Sequence, residues 1–475
     1  MVDSENRKGE SARPSPTGYA GDASPSRAEA GGAASRKNRA YALLVAVAAA
    51  VGGLLFGYDT AVISGAILFV RGQFHLSSFE TEVAVSAVLA GAALGAAVAG
   101  YFADRFGRKR VMLVDAVIFG LFAFLTSTAN GLEAFVAARF CVGLAVGVAS
   151  MLTPLYIAEI VPPKIRGALV TFNQLAITTG VVVAYYVDYL FSGSGNWRGM
   201  FITAVIPSLV LVVAFLFLPE SPRWLASQGR FDASFRILNL VEDAAAAQQH
   251  VLELEAVVQA DRLRLRDLFH PRFRMALIVG VGLAIFQQIT GVNTIIYYTP
   301  MILQMAGFHS ASTAILGTVL IGVVNFSFTI VSLLLLDRIG RRPLLLLGIA
   351  LMTMSLGYLG YLFGAGHGAR ALILIDVLVY LASFCIGLGP IFWLLISEIF
   401  PTTIRGQAMS IASVTIWVFD FLVSVTFLSL VRAVGTGHAF WLYAAACVAA
   451  FYFSWRKVPE TKGRTLEEIE ASWSA

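Results

Sequence analysis

The chain has 475 residues, of which 58% are hydrophobic and only 13% charged, with a mean hydropathy of +0.77. Soluble proteins average about 25% charged residues, so this composition excludes a nucleic-acid binder, a secreted disulfide scaffold and a disordered chain, and points to a polytopic membrane protein. The net charge of +5 fits Lys and Arg retained on the cytoplasmic side rather than a nucleic-acid partner.

Residues 1–38 are rich in Ser, Gly, Pro and Ala and read as a disordered cytoplasmic tail. They lack the apolar core and cleavage site of a signal peptide. Apolar runs then fall at about 42–70, 83–102, 111–129, 132–157, 168–190 and 199–218. A span needs about 20 apolar residues, so residues 39–218 form a six-helix half. The polar stretch 219–272 reads as a cytoplasmic linker with amphipathic helices, its Ala244–Ala247 run and Leu252, Leu254, Val257 and Val258 fitting helical spacing. Six further runs, at about 273–304, 312–336, 343–364, 371–398, 407–431 and 438–456, form a second half over 273–456, and a cytoplasmic tail covers 457–475. The fold class is an all-α membrane protein with twelve transmembrane helices in two parallel six-helix repeats.

Orientation follows from Lys and Arg. With the N-terminus inside, the outside loops hold only Arg71, Arg198, Arg370 and Arg432 of the 34 basic residues, and Arg139 lies within a span. Both termini are expected in the cytoplasm of a multi-pass protein of the cell membrane. Cys141, Cys385 and Cys447 sit in apolar stretches and read as small hydrophobes.

The halves repeat one another. Asp104-Arg105-Phe106-Gly107-Arg108-Lys109 recurs as Asp337-Arg338-Ile339-Gly340-Arg341-Arg342. Glu159 followed by Arg166-Gly167 recurs as Glu398 followed by Arg405-Gly406, and Pro219-Glu220-Ser221 recurs as Pro459-Glu460-Thr461, at nearly one separation. Such parallel repeats place a substrate site at their interface near mid-membrane.

These motifs resemble the sugar porter family of the major facilitator superfamily. With them stand Gly52 to Asp59, Arg139 followed by Gly143 and Gly147, Pro219 to Trp224, Gln287 to Thr294, Trp393 to Glu398 and Pro459 to Gly463. Within the family the chain looks most like the bacterial proton-coupled monosaccharide symporters. The resemblance covers about residues 41–470.

Asp59 and Arg139 are charges inside spans, each costing about 2.5–3.5 kcal/mol on insertion scales. At 1.5 Å per residue, Asp59 lies about 24 Å along an outgoing span and Arg139 about 10 Å down an incoming one. Both fall in the outer third, where they can pair. The resemblance implies that this pair couples transport to the proton. A static ion pair is the alternative.

Asp420 is a second intramembrane acid, near mid-depth, where the family usually carries an amide. The favoured reading is a neutral hydrogen-bonding Asp; an extra proton site and a substrate contact are the alternatives.

Sugar recognition needs groups that both donate and accept, which amides supply, and a ring to stack on. Gln174, Gln287, Gln288, Asn293, Tyr297, Tyr298 and Asn325 offer the former, and Phe56, Trp393 and Trp417 the latter. The resemblance implies sugar contacts at these positions. Helix–helix hydrogen bonding is the alternative for the amides. Val181 and Ile416 stand where relatives present amides, which leaves the sugar open.

The resemblance further implies a cytoplasmic gate made by Asp104, Arg108, Glu159 and Arg166 with their repeats Asp337, Arg341, Glu398 and Arg405. Gly291, Pro154, Pro300 and Pro390 should break or bend helices beside the cavity, and Gly143 and Gly147 should let helices pack closely.

The expectation is an importer of a monosaccharide, hexose and glucose first, with a proton, by alternating access. Its partners are sugar, proton and lipid bilayer, with no nucleic acid and no obligate protein partner. A facilitative uniporter, a pentose or inositol symporter, and a non-transporting sugar sensor are the alternatives. The short tails speak against sensing. The sequence shows no catalytic triad, metal-ligand spacing or phosphate-binding loop, so no enzyme, cofactor or metal is expected.

Overall fold

The computed structural model describes residues 26–259, 273–364, 370–400, 405–464 and 468–469, with the side chains of 26–39, 163, 164, 167, 168, 170, 171, 257–259, 337 and 405 outside that description. Every regular element among them is a helix. In the first half these are α1 (Ser26–Gln73), α2 (Ser78–Phe106), α3 (Arg108–Ser127), α4 (Leu132–Ile160), α5 (Pro163–Ser192), α6 (Trp197–Ile202) and α7 (Val205–Phe217). The linker holds α8 (Pro222–Ser227), α9 (Phe231–Val241) and α10 (Ala244–Gln259). The second half holds α11 (Arg274–Ile289), α12 (Val292–Met305), α13 (Ala311–Ile339), α14 (Arg341–Gly364), α15 (Arg370–Ile386), α16 (Leu388–Ile399), α17 (Arg405–Val434) and α18 (Thr436–Lys457).

Twelve stretches are long and apolar enough to cross a membrane, six in each half. Three of them are pairs of helices end to end: α6 with α7, α11 with α12, and α15 with α16. The breaks at Gly291 and just before Pro390 fall where the sequence placed them. The break at Thr203–Ala204 was not foreseen. Pro154 and Pro300 lie inside the unbroken α4 and α12.

Two stretches differ from the sequence reading. Helix α1 starts at Ser26, so 26–38 continue a helix where an irregular tail was expected. Residues 28–34 are rich in Ala, and extending an existing helix avoids the cost of a new nucleus. In the linker, Ala247 and Val251 of α10 are buried against Leu238, with Phe231, Phe235 and Leu254 around them. Leu252, expected on that face, points to solvent, while Val257 and Val258 have side chains outside the description.

Short connections make successive spans antiparallel, which gives the molecule two faces. One, here the linker face, carries the turns at Gly107 and Gly340 and helices α8–α10. The other, the far face, carries the turn before α2, where Ser77 and Glu80 cap each other's backbone. Within the first half α2 packs on α4. A methyl group on Gly143 or Gly147 would run into the backbone of Val88 or Ala92, so glycine sets this approach.

The halves meet along α2 with α17 and α5 with α13. At the far end Glu82 of α2 accepts hydrogen bonds from the backbone N–H and hydroxyl of Ser429 of α17, both at 2.6 Å. Ser192 donates to Ser312 at 2.9 Å, and the Tyr185 hydroxyl donates to the Ile296 carbonyl at 2.8 Å. Nearer the linker face, Ser410 meets the sulfur of Met151 at 3.6 Å.

Candidate functional site

The break between α11 and α12 organises the first cluster. Gly291 has a φ of +88°, a left-handed conformation, and a Cβ there would lie 2.8 Å from the Tyr443 ring. Only glycine meets both demands. The Thr290 carbonyl freed at the break accepts from the Tyr380 hydroxyl at 2.9 Å.

Around this break the polar side chains form a chain of hydrogen bonds. Gln287 donates to the carbonyls of Leu388 and Gly389 at 3.2 and 3.3 Å, which lie at the break between α15 and α16. Gln288 donates to the Gln287 amide oxygen at 3.5 Å, and Asn293 donates to that of Gln288 at 2.8 Å. Asn293 also bonds Asp420 on α17. Asp420 accepts further from Tyr297 at 2.9 Å and Ser424 at 3.2 Å. Gln287, Gln288, Tyr297 and Asp420 are all buried.

The remaining candidates occupy neighbouring positions. Phe56 of α1 and Trp417 of α17 pack together across the halves, ring centroids 5.3 Å apart and planes tilted by 55°, and Trp417 donates to Ser150 of α4 at 3.3 Å. Trp393 packs on Phe392. Asn325 takes a contact from the Cys385 thiol at 3.4 Å. Tyr298 is fully buried, its hydroxyl spent on the Ser424 carbonyl. Gln174 is half-buried on α5. No hydrogen bond among the described residues joins Gln174, Asn325 or Trp393 to the amide chain. A cavity of about 490 Å³ opens at the far end, lined by Arg71, His75 and Gln304 among others, and none of the expected sugar residues lines it.

Asp59 and Arg139 meet as the depth arithmetic required. The guanidinium bonds the Asp59 Oδ1 at 2.5 Å and the Asp59 carbonyl at 3.3 Å, and it lies 5.3 Å from the Phe201 ring. Both side chains are sealed from solvent. The Asp59 Oδ2 and Arg139 Nε have no hydrogen-bond partner. The pair is therefore incompletely satisfied, with one carboxylate oxygen open to a proton. On α5 a further acid, Asp188, accepts from the Gly65 amide at 3.0 Å, its Oδ1 unpartnered. Glu82, Asp115 and Asp376 are buried acids too. The sequence reading singled out none of these four; each lies in a predicted apolar run or at its edge, where charges inside spans are the available signal.

At the linker face each half builds the same cluster. Arg108 grips Glu159 with two bonds, at 3.0 and 3.2 Å, and also pairs with the exposed Asp104 at 2.9 Å. Ser221 donates to Glu159 at 2.5 Å. Glu220 accepts from the backbone N–H of Lys109 and of Ser221. In the second half Arg341 pairs with Glu398 at 3.0 Å, Thr461 donates to Glu398 at 2.5 Å, and Glu460 accepts from the amides of Arg341, Arg342, Thr461 and Lys462. Burial pushes the Glu460 carboxyl up, but these four amides outweigh it and hold the group below its ordinary value.

This arrangement shows which members of the expected gate meet. The cation bonded to Glu159 is Arg108, which opens α3 directly beside the end of α4. Arg166 sits in the field of Glu242, Arg223 and Glu159, and its Nε has no hydrogen-bond partner; burial pulls its pKa below the ordinary value. These pairs also join helices of the same half. The side chains of Asp337 and Arg405 lie outside the described residues. Missed from the sequence were Glu220, Ser221, Glu460 and Thr461, although their recurrence in register was the available signal.

Residues 45–473 match a family described as sugar (and other) transporter. The chain is 40% identical to a D-xylose transporter of Levilactobacillus brevis, covering 90% of this chain and 94% of that one. It is 37% identical to the galactose-proton symporter of Escherichia coli strain K12, covering 92% and 95%. Among solved structures it resembles a partially occluded inward open conformation of the xylose transporter XylE from E. coli. That match has a TM-score of 0.78 and 33% identity over 90% of this chain and all of that one.

Proposed function

The chain belongs to the sugar porter family of the major facilitator superfamily, a family of transporters rather than enzymes, and on that premise we propose that it imports a monosaccharide together with a proton. The observation that carries the proton half of this reading is the sealed Asp59–Arg139 pair with its open carboxylate oxygen. An ionised Asp59 holds Arg139 and so ties α1 to α4. A proton on the open oxygen weakens that attraction and frees α1 to move.

The amide chain from Gln287 to Asn293, with the Phe56–Trp417 contact across the halves, supports a sugar site between them. Amides there match hydroxyls as donors and acceptors. We assign hexose, with glucose first, because Val181 and Ile416 withdraw two polar contacts and leave room for a larger ring. The distribution of basic residues supports both termini lying inside. The clusters around Glu159 and Glu398 act as the inner gate.

Uptake of labelled D-glucose, D-galactose and D-xylose into transporter-deficient bacteria, with and without a protonophore, tests this. Accumulation that collapses with the protonophore fits symport. Equilibrative uptake indifferent to it would make the protein a uniporter. Accumulation of xylose alone would overturn the hexose assignment.

A further inference from the structure

Asp420 is the acid that the proton-coupling pair does not use. It lies on α17, and the described residues give it no cationic partner. The groups that face it are Tyr297, Tyr298 and Asn293 of α12 and Ser424 of its own helix, with Tyr443 of α18 and Glu82 of α2 farther along, beside Tyr298. Asp59 and Tyr185 reach the same Tyr297 from α1 and α5. Three of these groups, Asn293, Tyr297 and Ser424, donate to the carboxylate. Three donors satisfy an ionised carboxylate, which only accepts.

A protonated carboxyl must instead give one bond away. The Asn293 amide can receive it by turning its oxygen toward Asp420. Its nitrogen then no longer donates to Gln288, so Gln288 must turn as well and offer its own nitrogen. The turn stops at Gln287, whose nitrogen is fixed on the carbonyls of Leu388 and Gly389. The Gln288 oxygen is left facing the Gln287 oxygen, in need of a donor. A sugar hydroxyl supplies one.

We propose that Asp420 is a positioning residue that passes its protonation state through Asn293 to Gln288, so that the sugar site binds more tightly when Asp420 carries a proton. This rests on the reading of the amide chain as a sugar site. Linkage then runs both ways, bound sugar favouring the proton as the proton favours sugar.

The test is sugar affinity against pH, measured by quenching of tryptophan fluorescence on the purified full chain with D-xylose, D-galactose and D-glucose. Asp59→Asn serves as the background, to remove the acid of the coupling pair. The dissociation constant is expected to rise by several-fold to about tenfold per pH unit on the steep part of the profile. Asp420→Asn, which keeps the shape but cannot ionise, should flatten that profile. Tyr297→Phe removes a donor to the ionised form and should move its midpoint to higher pH. Saturable binding with a flat profile before the Asp420 change, or a profile that survives it, overturns the relay and leaves symport standing. A midpoint unmoved by Tyr297→Phe also overturns the relay. No saturable binding of any of the three sugars overturns the symport reading, and the relay with it.

Discussion

Glu82 and Ser429 lie 347 positions apart in the chain, yet two hydrogen bonds of 2.6 Å join them across the boundary between the halves. They close the far end, where Ser192–Ser312 and Tyr185–Ile296 add further links. Each hydrogen bond contributes about 1 kcal/mol net. Glu82→Ala is therefore expected to shift the balance toward a far-side-open form by about tenfold or more. Spin labels on the exposed Phe79 and Val434 positions would read this as a growing long-distance population. An unchanged distance distribution would mean the contact carries no weight in closure.

Asp59→Asn should abolish uphill accumulation while leaving sugar exchange across the membrane. The neutral side chain mimics the protonated state permanently, so the proton gradient has nothing to act on. Retained accumulation would reject Asp59 as the coupling site. Removing one member of a buried ion pair costs about 3–5 kcal/mol, so Asp59→Ala should also lower the melting temperature.

Gln288→Ala deletes the amide between Gln287 and Asn293. If it bonds sugar hydroxyls, affinity should fall by about tenfold or more, since an unmet buried hydrogen bond costs about 1–3 kcal/mol. Equal affinity in a binding titration would move the site elsewhere.

Glu460 offers a pH test outside the membrane. Its folded pKa is depressed by the four backbone amides. A depressed carboxyl contributes stability above its unfolded pKa, and that contribution fades as pH falls through the folded value. Glu460→Ala should lower the melting temperature near neutrality by about 1–3 °C, the group being partly exposed to solvent. The gap to the unaltered chain should close below about pH 4. A gap that persists in acid would show that the loss is one of packing alone.

Much of the fold was legible because a bilayer demands long apolar runs, and twelve of them stand out. The Asp59–Arg139 pair was legible for the same reason: rise per residue fixes depth, and depth decides who can meet. Partners across the halves were not legible. Nothing in the run around Glu82 points to Ser429, because the pairing depends on how α2 leans on α17. That Glu159 meets Arg108 turned on side-chain reach at the ends of α3 and α4. The break between α6 and α7 carries no glycine; its mark is Pro207, whose ring opposes the Thr203 carbonyl four residues back, and the sequence reading did not count that proline among the helix breakers.

The matched clusters at the linker face bear on how the chain was assembled. Ser221 and Glu220 fasten the first half, Thr461 and Glu460 the second, and each set follows the last span of its own half. The ancestral unit that was copied therefore did not stop at its sixth span. It already carried the short Pro-Glu-Ser/Thr hook beyond it, so each copy brought its own fastening for the cluster at its linker face.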